Sequence, residues 1–233
     1  MNETAIRLEA ISKCYFTTPV FQHLSAAFPK GRIIGLLGEN GVGKTTLLKL
    51  MAGLLKPDEG KVIIEEQAFA SQGKACVSRV SWLLSPQDFY PFFKVSDALQ
   101  YYKDFYQDFD GKKAEELFRE WKLPFDRKIS SLSKGEAERL CLFLALCRKV
   151  PIYLMDEPAA GFDIKLKQDM VGILLSQLEE DATVILATHL LRDFGDLFDV
   201  LAVLTKNGIC IAESEEIREK GMSAEDYYLG VIQ

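Results

Sequence analysis

The segment Gly38-Glu39-Asn40-Gly41-Val42-Gly43-Lys44-Thr45 constrains this chain most, because it fits Gly-x-x-x-x-Gly-Lys-Thr and stands between two different hydrophobic periodicities. Before it, Arg32 to Leu37 is a short apolar run of strand type. After it, Thr45 to Leu55 repeats apolar residues at helical spacing. A strand, a glycine-rich loop and a helix in that order make an anion cradle: glycines let successive N–H groups turn inward, and the helix adds its positive end. Lys44 then offers a mobile charge to the β- and γ-phosphates of a nucleotide. Thr45 offers a hydroxyl to the oxygen shell of magnesium, and Thr46 can hydrogen-bond the phosphates nearer the sugar.

The helix after the loop must stop near Lys56-Pro57, and Pro57-Asp58-Glu59-Gly60 is turn chemistry. Strand signals recur at Lys61 to Glu65, Ile152 to Met155, Thr183 to Ala187 and Val200 to Leu204, with helix-like stretches between the later ones. Such alternation implies a mostly parallel sheet, hence an α/β fold. Between Gln87 and Val150 the pattern is helical only, over aromatic-rich Phe89 to Phe109, Ala114 to Trp121 and Glu136 to Lys149. The expectation is a single domain over 1–233, with an α/β core at about 1–86 and 151–233 and an inserted helical subdomain at about 87–150.

In Ile152-Tyr153-Leu154-Met155-Asp156-Glu157 two carboxylates follow an apolar strand, at the end of the sheet where open α/β folds bind ligands. Adjacent residues at a strand end point in different directions, so Asp156 can serve a magnesium shell while Glu157 faces an attacking water. Composition narrows the rest. With 233 residues and 48% apolar content the chain builds a folded core, yet a run such as Leu140 to Cys147 stops at Arg148-Lys149. A membrane-spanning helix needs at least ~18 apolar residues, so membrane work requires a partner chain. Met1-Asn2-Glu3-Thr4 shows neither a basic leader nor an apolar signal core, which predicts a protein that stays where it is made. Five scattered cysteines without a Cys-x-x-Cys pair read as reduced thiols, and a net charge of −6 argues against a nucleic-acid partner.

Phosphate loops and acidic strand ends occur in many protein classes; Leu132-Ser133-Lys134-Gly135-Glu136 separates them. It opens a helix about twenty residues before the acidic strand and resembles the Leu-Ser-Gly-Gly-Gln signature of ATP-binding cassette (ABC) ATPases. Gln87 after Ser85-Pro86 resembles the family's Q-loop, Ala160-Gly161-Phe162-Asp163 its D-loop, and Thr188-His189 its switch histidine. Tyr15, with Phe16 beside it, occupies the place of the aromatic residue that stacks on adenine. These motifs run in the family's order from about residue 5 to residue 215.

The resemblance implies a phosphate-loop core with an N-terminal antiparallel β subdomain, ATP and Mg2+ as ligands, and a sandwich dimer with itself or a homologous cassette. Gly38 to Thr46 would hold the phosphates. Ser133 and Gly135 would face the γ-phosphate held by the partner's loop, and Asp163 would bridge the dimer. Glu157 is then the general base, Gln87 touches magnesium and the attacking water, and His189 contacts the γ-phosphate. The implied role is the ATPase subunit of a transporter, exporter-like in its C-terminal stretch, peripheral on the cytoplasmic face through an integral membrane subunit. Asp88-Phe89-Tyr90-Pro91-Phe92-Phe93 supplies aromatic surface for that contact. The alternative is a soluble cassette acting in DNA repair or on ribosomes; no guanine-reading Asn-Lys-x-Asp favours a GTPase. Lys134 and Glu136 depart from the family's glycine and glutamine, Ser133-x-x-Glu136 fits a capping box, and Lys134 is the expected counter-charge for Glu136.

Overall fold

The computed structural model describes residues 3–65, 67–69, 78–158, 172, 176–179, 181–189 and 191–233. Strands β1 (Thr4–Tyr15) and β2 (Thr18–Pro29) form a long hairpin, which β3 (Ile33–Leu37) leaves for a different sheet. Strands β4 (Glu59–Ile64) and β5 (Gln67–Phe69) complete an antiparallel sheet ordered β2-β1-β4-β5. The other sheet adds β6 (Val80–Trp82), β7 (Ile152–Asp156), β8 (Thr183–Ala187), β9 (Val200–Thr205) and β10 (Gly208–Glu213) in the order β10-β9-β3-β8-β7-β6. All its pairings are parallel except β10 with β9.

The central strands are apolar without interruption because both faces are covered. Ile152, Leu154, Ile185, Ala187, Val200, Ala202 and Leu204 face a core shared with the antiparallel sheet and helix α1 (Lys44–Met51). Their neighbours Tyr153, Met155, Val184, Leu186, Leu201 and Val203 face the opposite core, against the later helices. Period-two alternation thus assigns each strand residue to one of two cores.

Three helices lie between β6 and β7 in sequence: α2 (Val95–Phe105), α3 (Gly111–Trp121) and α4 (Lys134–Leu146). α2 buries Val95, Ala98 and Tyr102, and α3 buries Ala114, Leu117 and Trp121, each a single stripe at helical spacing. α4 is buried continuously from Leu140 to Leu146, so it is the axis on which the other two pack. After β8 come the short α5 (Leu191–Phe194), then α6 (Ser214–Glu219) and α7 (Ala224–Ile232) beyond β10. Among the described residues no helix is long and apolar enough to cross a membrane.

Several helix limits differ from those read in the sequence. α1 stops at Met51, not Leu55, because Gly53 takes a left-handed φ of 68° and the N–H groups of Leu54 and Leu55 both turn back to the Lys49 carbonyl. The aromatic stretch is helical only from Val95, where Asp97 caps the turn by accepting the Lys94 N–H at 2.8 Å. α4 begins at Lys134 rather than Glu136, since Ser133 is its cap.

The end of α4 is tied to the sheet by one buried cation. The Arg148 side chain, 4% exposed, holds Asp108 through two hydrogen bonds of 2.7 Å, donates to the β6 carbonyl of Val80 at 2.8 Å, and lies 4.0 Å from the Tyr106 ring centre. Removing one partner of such a buried pair strands the other. Arg148→Ala is therefore expected to destabilise the protein by about 3 kcal/mol or more, read by urea unfolding followed with circular dichroism; a loss below about 1 kcal/mol would match an exposed pair instead.

Candidate active site

The phosphate loop is shaped by what its glycines touch. A Cβ on Gly38, at φ 152°, would lie 2.5 Å from the Leu204 carbonyl oxygen; one on Gly43, at φ 111°, would lie 2.6 Å from Val20. The loop is thus pressed between the end of β9 and the hairpin strand β2. No acidic residue occupies the first turn of α1, so its positive end is left for an anion. The Lys44 ammonium, largely buried, donates to the carbonyls of Gly38 at 2.8 Å and Glu39 at 3.1 Å. Thr45 donates its hydroxyl to Asp156 Oδ2 at 2.6 Å, which joins the first turn of α1 to the end of β7.

Glu157, the next residue, leaves the strand direction. Its φ of 48° is unusual for a residue with a side chain and costs on the order of 1 kcal/mol. Its N–H still donates to the Ala187 carbonyl of β8 at 2.9 Å. The carboxylate places Oε1 2.9 Å from His189 Nδ1, while Oε2 is buried with no hydrogen-bond partner among the described residues. Just before His189, the Thr188 N–H reaches the Leu36 carbonyl of β3 at 3.4 Å.

A cleft of about 830 Å³ opens here. Asn40, Gly41, Gly43, Lys44, Thr45 and Thr46 line one side, and Asp156 and Glu157 the other. Trp82 to Ser85, Asp88, Lys49 and Leu54 also line it, none of them foreseen. Lys49 carried a readable signal, one turn after Thr45 on α1; Asp88 enters because it accepts the Ser85 N–H at 2.7 Å. The expected Gln87 lies beside the cleft in a short turn, exposed, with its amide oxygen accepting from the Ser85 hydroxyl. Tyr15 ends β1, 45% exposed, in the hairpin whose Val20 and Phe21 abut Gly43. Neither Gln87 nor Tyr15 lines the cleft, and Asp163 lies outside the described residues. The Thr45 and Asp156 oxygens fit Mg2+, which takes few protein ligands beside water and phosphate. Among the described residues no cluster of three or more His, Cys, Asp or Glu suggests another metal.

A family model described as ABC transporter matches residues 21–160. The chain belongs to the ABC transporter family. A probable metal transport system ATP-binding protein of Chlamydia pneumoniae is 31% identical to it over 229 residues, covering 92% of this chain and 86% of that protein. Two solved structures share the fold. The ATP-binding subunit of an ABC transporter gives a TM-score of 0.86 at 21% identity, covering 97% of this chain and 99% of the other. A dimeric bacterial ABC transporter cassette gives 0.77 at 20% identity, covering 89% and 98%. The chain is thus an ATP-binding ATPase subunit of the ABC transporter type, and the relatives lend no support to the reading as a soluble factor in DNA repair or on ribosomes.

The segment that resembles the cassette signature stands apart from this cleft, since Ser133 and Gly135 do not line it. The capping box expected of Ser133 and Glu136 is present: Glu136 Oε2 accepts the Ser133 N–H at 2.8 Å, and Ser133 Oγ accepts the Glu136 N–H at 3.3 Å. The Ser133 N–H, its hydroxyl and then Arg127 hold the Glu136 carboxyl below its usual range. Lys134, however, is not the counter-charge of Glu136. It reaches Glu138, one turn along the same helix, at 3.9 Å, while Arg127 meets Glu136 at 3.1 Å. Helical geometry explains the correction, because positions two apart face different ways and positions four apart share a face.

The loop geometry ranks its glycines. Gly38→Ala meets backbone that cannot yield, whereas a Cβ on Gly41 finds open space and only the φ of 78° opposes it. Gly41→Ala should cost about 1 kcal/mol in stability and Gly38→Ala at least about 3, with loss of ATP binding in the latter. Paired thermal melts and ATP titrations check the order; equal effects would contradict the packing described.

Proposed function

We propose that this cassette works as one half of an ATP-sandwich dimer that hydrolyses Mg-ATP and passes the resulting motion to a separate membrane subunit. The observation that carries this reading is the lining of the cleft, which holds the phosphate loop and the acidic strand end but not Ser133 or Gly135. One chain alone then lacks the signature at its own nucleotide, and a second chain must bring it. The dimeric cassette of the same fold is consistent with such an arrangement.

In this reading Lys44 exchanges the Gly38 and Glu39 carbonyls for phosphate oxygens. Tyr15 stacks on adenine from the edge of the hairpin, and Thr46 holds the phosphates nearer the sugar. Thr45 and Asp156, with Gln87 alongside, would hold Mg2+, which would supply neutralisation of phosphate charge. Glu157 takes the proton of the attacking water. His189, at 2.9 Å from Oε1, fixes that carboxylate and contacts the γ-phosphate. Asp163 bridges to the second copy. Residues 87–150 form the signature subdomain within the cassette, and they carry the face that meets the membrane subunit. Tyr90, Phe92, Tyr101 and Phe105 are 62%, 67%, 40% and 67% exposed, with Tyr90 stacked on Phe92 at 5.4 Å and Tyr101 on Phe105 at 4.3 Å. Aromatic surface of this extent suits a partner interface. Docked there, the cassette sits on the cytoplasmic side of the membrane.

Glu157→Gln keeps the shape but cannot accept the proton, so kcat should fall by roughly 10²–10⁴-fold. ATP affinity should be retained and an ATP-bound dimer should accumulate, as measured by steady-state turnover and sedimentation. Turnover near that of the wild type would remove Glu157 from the role of base.

A further inference from the structure

We propose that Arg127 is a positioning residue of the signature, whose guanidinium neutralises Glu136 and fixes the Ser133 turn against a second chain's nucleotide. This rests on the sandwich reading above. Glu136 uses both carboxylate oxygens: Oε2 takes the Ser133 N–H at 2.8 Å, and Oε1 takes Arg127 Nη1 at 3.1 Å. The other arm of Arg127, Nη2, donates to the Ser131 carbonyl. One planar group therefore ties the residue two before the signature serine to the residue three after it. A lysine lacks the rigid planar fork that holds both acceptors in a fixed relation.

The guanidinium is placed by backbone, not by chance. The Arg127 carbonyl accepts the Val95 N–H at 3.1 Å, and the Ile129 N–H donates to the Phe93 carbonyl at 2.8 Å. Lys94 and Lys128 pair between them in an antiparallel bridge. The strip that carries Arg127 is thus laced to the end of the aromatic turn, so the face proposed for the membrane subunit and the signature are joined through this residue.

An exposed ion pair contributes little to folding, and this one is half-exposed on both sides, 48% for Arg127 and 37% for Glu136. Its effect grows when a triphosphate closes over the same carboxylate and water leaves. Lys134 cannot take its place, being 72% exposed and turned to Glu138. Arg127 is therefore nearly neutral for the monomer and consequential for the dimer.

The test uses full-length chain carrying Glu157→Gln and measures the dimer dissociation constant in Mg-ATP by sedimentation. Arg127→Ala should raise it about tenfold, because a symmetric dimer carries the lesion twice, and Arg127→Lys should fall between. The monomer's affinity for ATP and its melting temperature should stay close to those of the parent. Adding Glu136→Gln to Arg127→Ala should return the constant to within about threefold of the parent, since the unmatched charge is gone. An unchanged constant in Arg127→Ala, no recovery in the double variant, or a parallel loss of monomer ATP affinity would each overturn the proposal while the sandwich stands. A Glu157→Gln parent that stays monomeric in Mg-ATP would overturn the sandwich, and this inference with it.

Discussion

The parallel pairing of β3 with β8, and of β8 with β7, sets the distance between a phosphate loop and an acidic strand end. Adjacent strands lie about 4.8 Å apart, so the ends of β3 and β7 are separated by about 10 Å. A loop and one helical turn can cross that gap, and here they do, with Thr45 meeting Asp156 at 2.6 Å. The strand between them supplies the third member: β8 ends at Ala187, whose carbonyl holds the Glu157 N–H and whose chain continues to Thr188 and His189. Three sequence-distant segments share one edge because their strands are neighbours, and the chemistry follows from that register.

Away from this edge the helical region is joined to the sheet by polar groups as well as by the shared apolar core. Arg148 links Asp108 to Val80, and Ser81, fully buried in β6, donates to the Ala145 carbonyl near the end of α4. These links fix the C-terminal end of α4. Its N-terminal end, with Ser133, Glu136 and Arg127, is exposed and held by surface hydrogen bonds. The helix is thus anchored at the end that leads to β7 and open at the end where the proposed second chain would meet it.

Much of this was legible in the sequence because the signals are local. The strand Thr183–Ala187 is bounded as its apolar run predicts, and Ser133-x-x-Glu136 caps its helix as the spacing predicts. The glycine pattern before Lys44 indicated the cradle, although not that Gly38 is packed on Leu204. What escaped depends on folding in three dimensions or on one backbone angle. The partner of Glu136 is nine residues upstream and off the helix, whereas Lys134, its near neighbour in sequence, faces elsewhere. Trp82 to Leu84 line the cleft only because β6 pairs with β7, a contact no short window can show. The early end of α1 turns on the left-handed Gly53, a single dihedral.

We propose that catalysis here needs two chains, since Ser133 is absent from the cleft that holds the phosphate loop and Glu157. Specific ATPase activity of the wild-type protein, measured across a wide range of protein concentration at saturating Mg-ATP, tests it directly. A composite site predicts that turnover per chain rises with concentration and levels off once dimers dominate. Turnover per chain that stays constant down to concentrations at which sedimentation shows only monomer would contradict it.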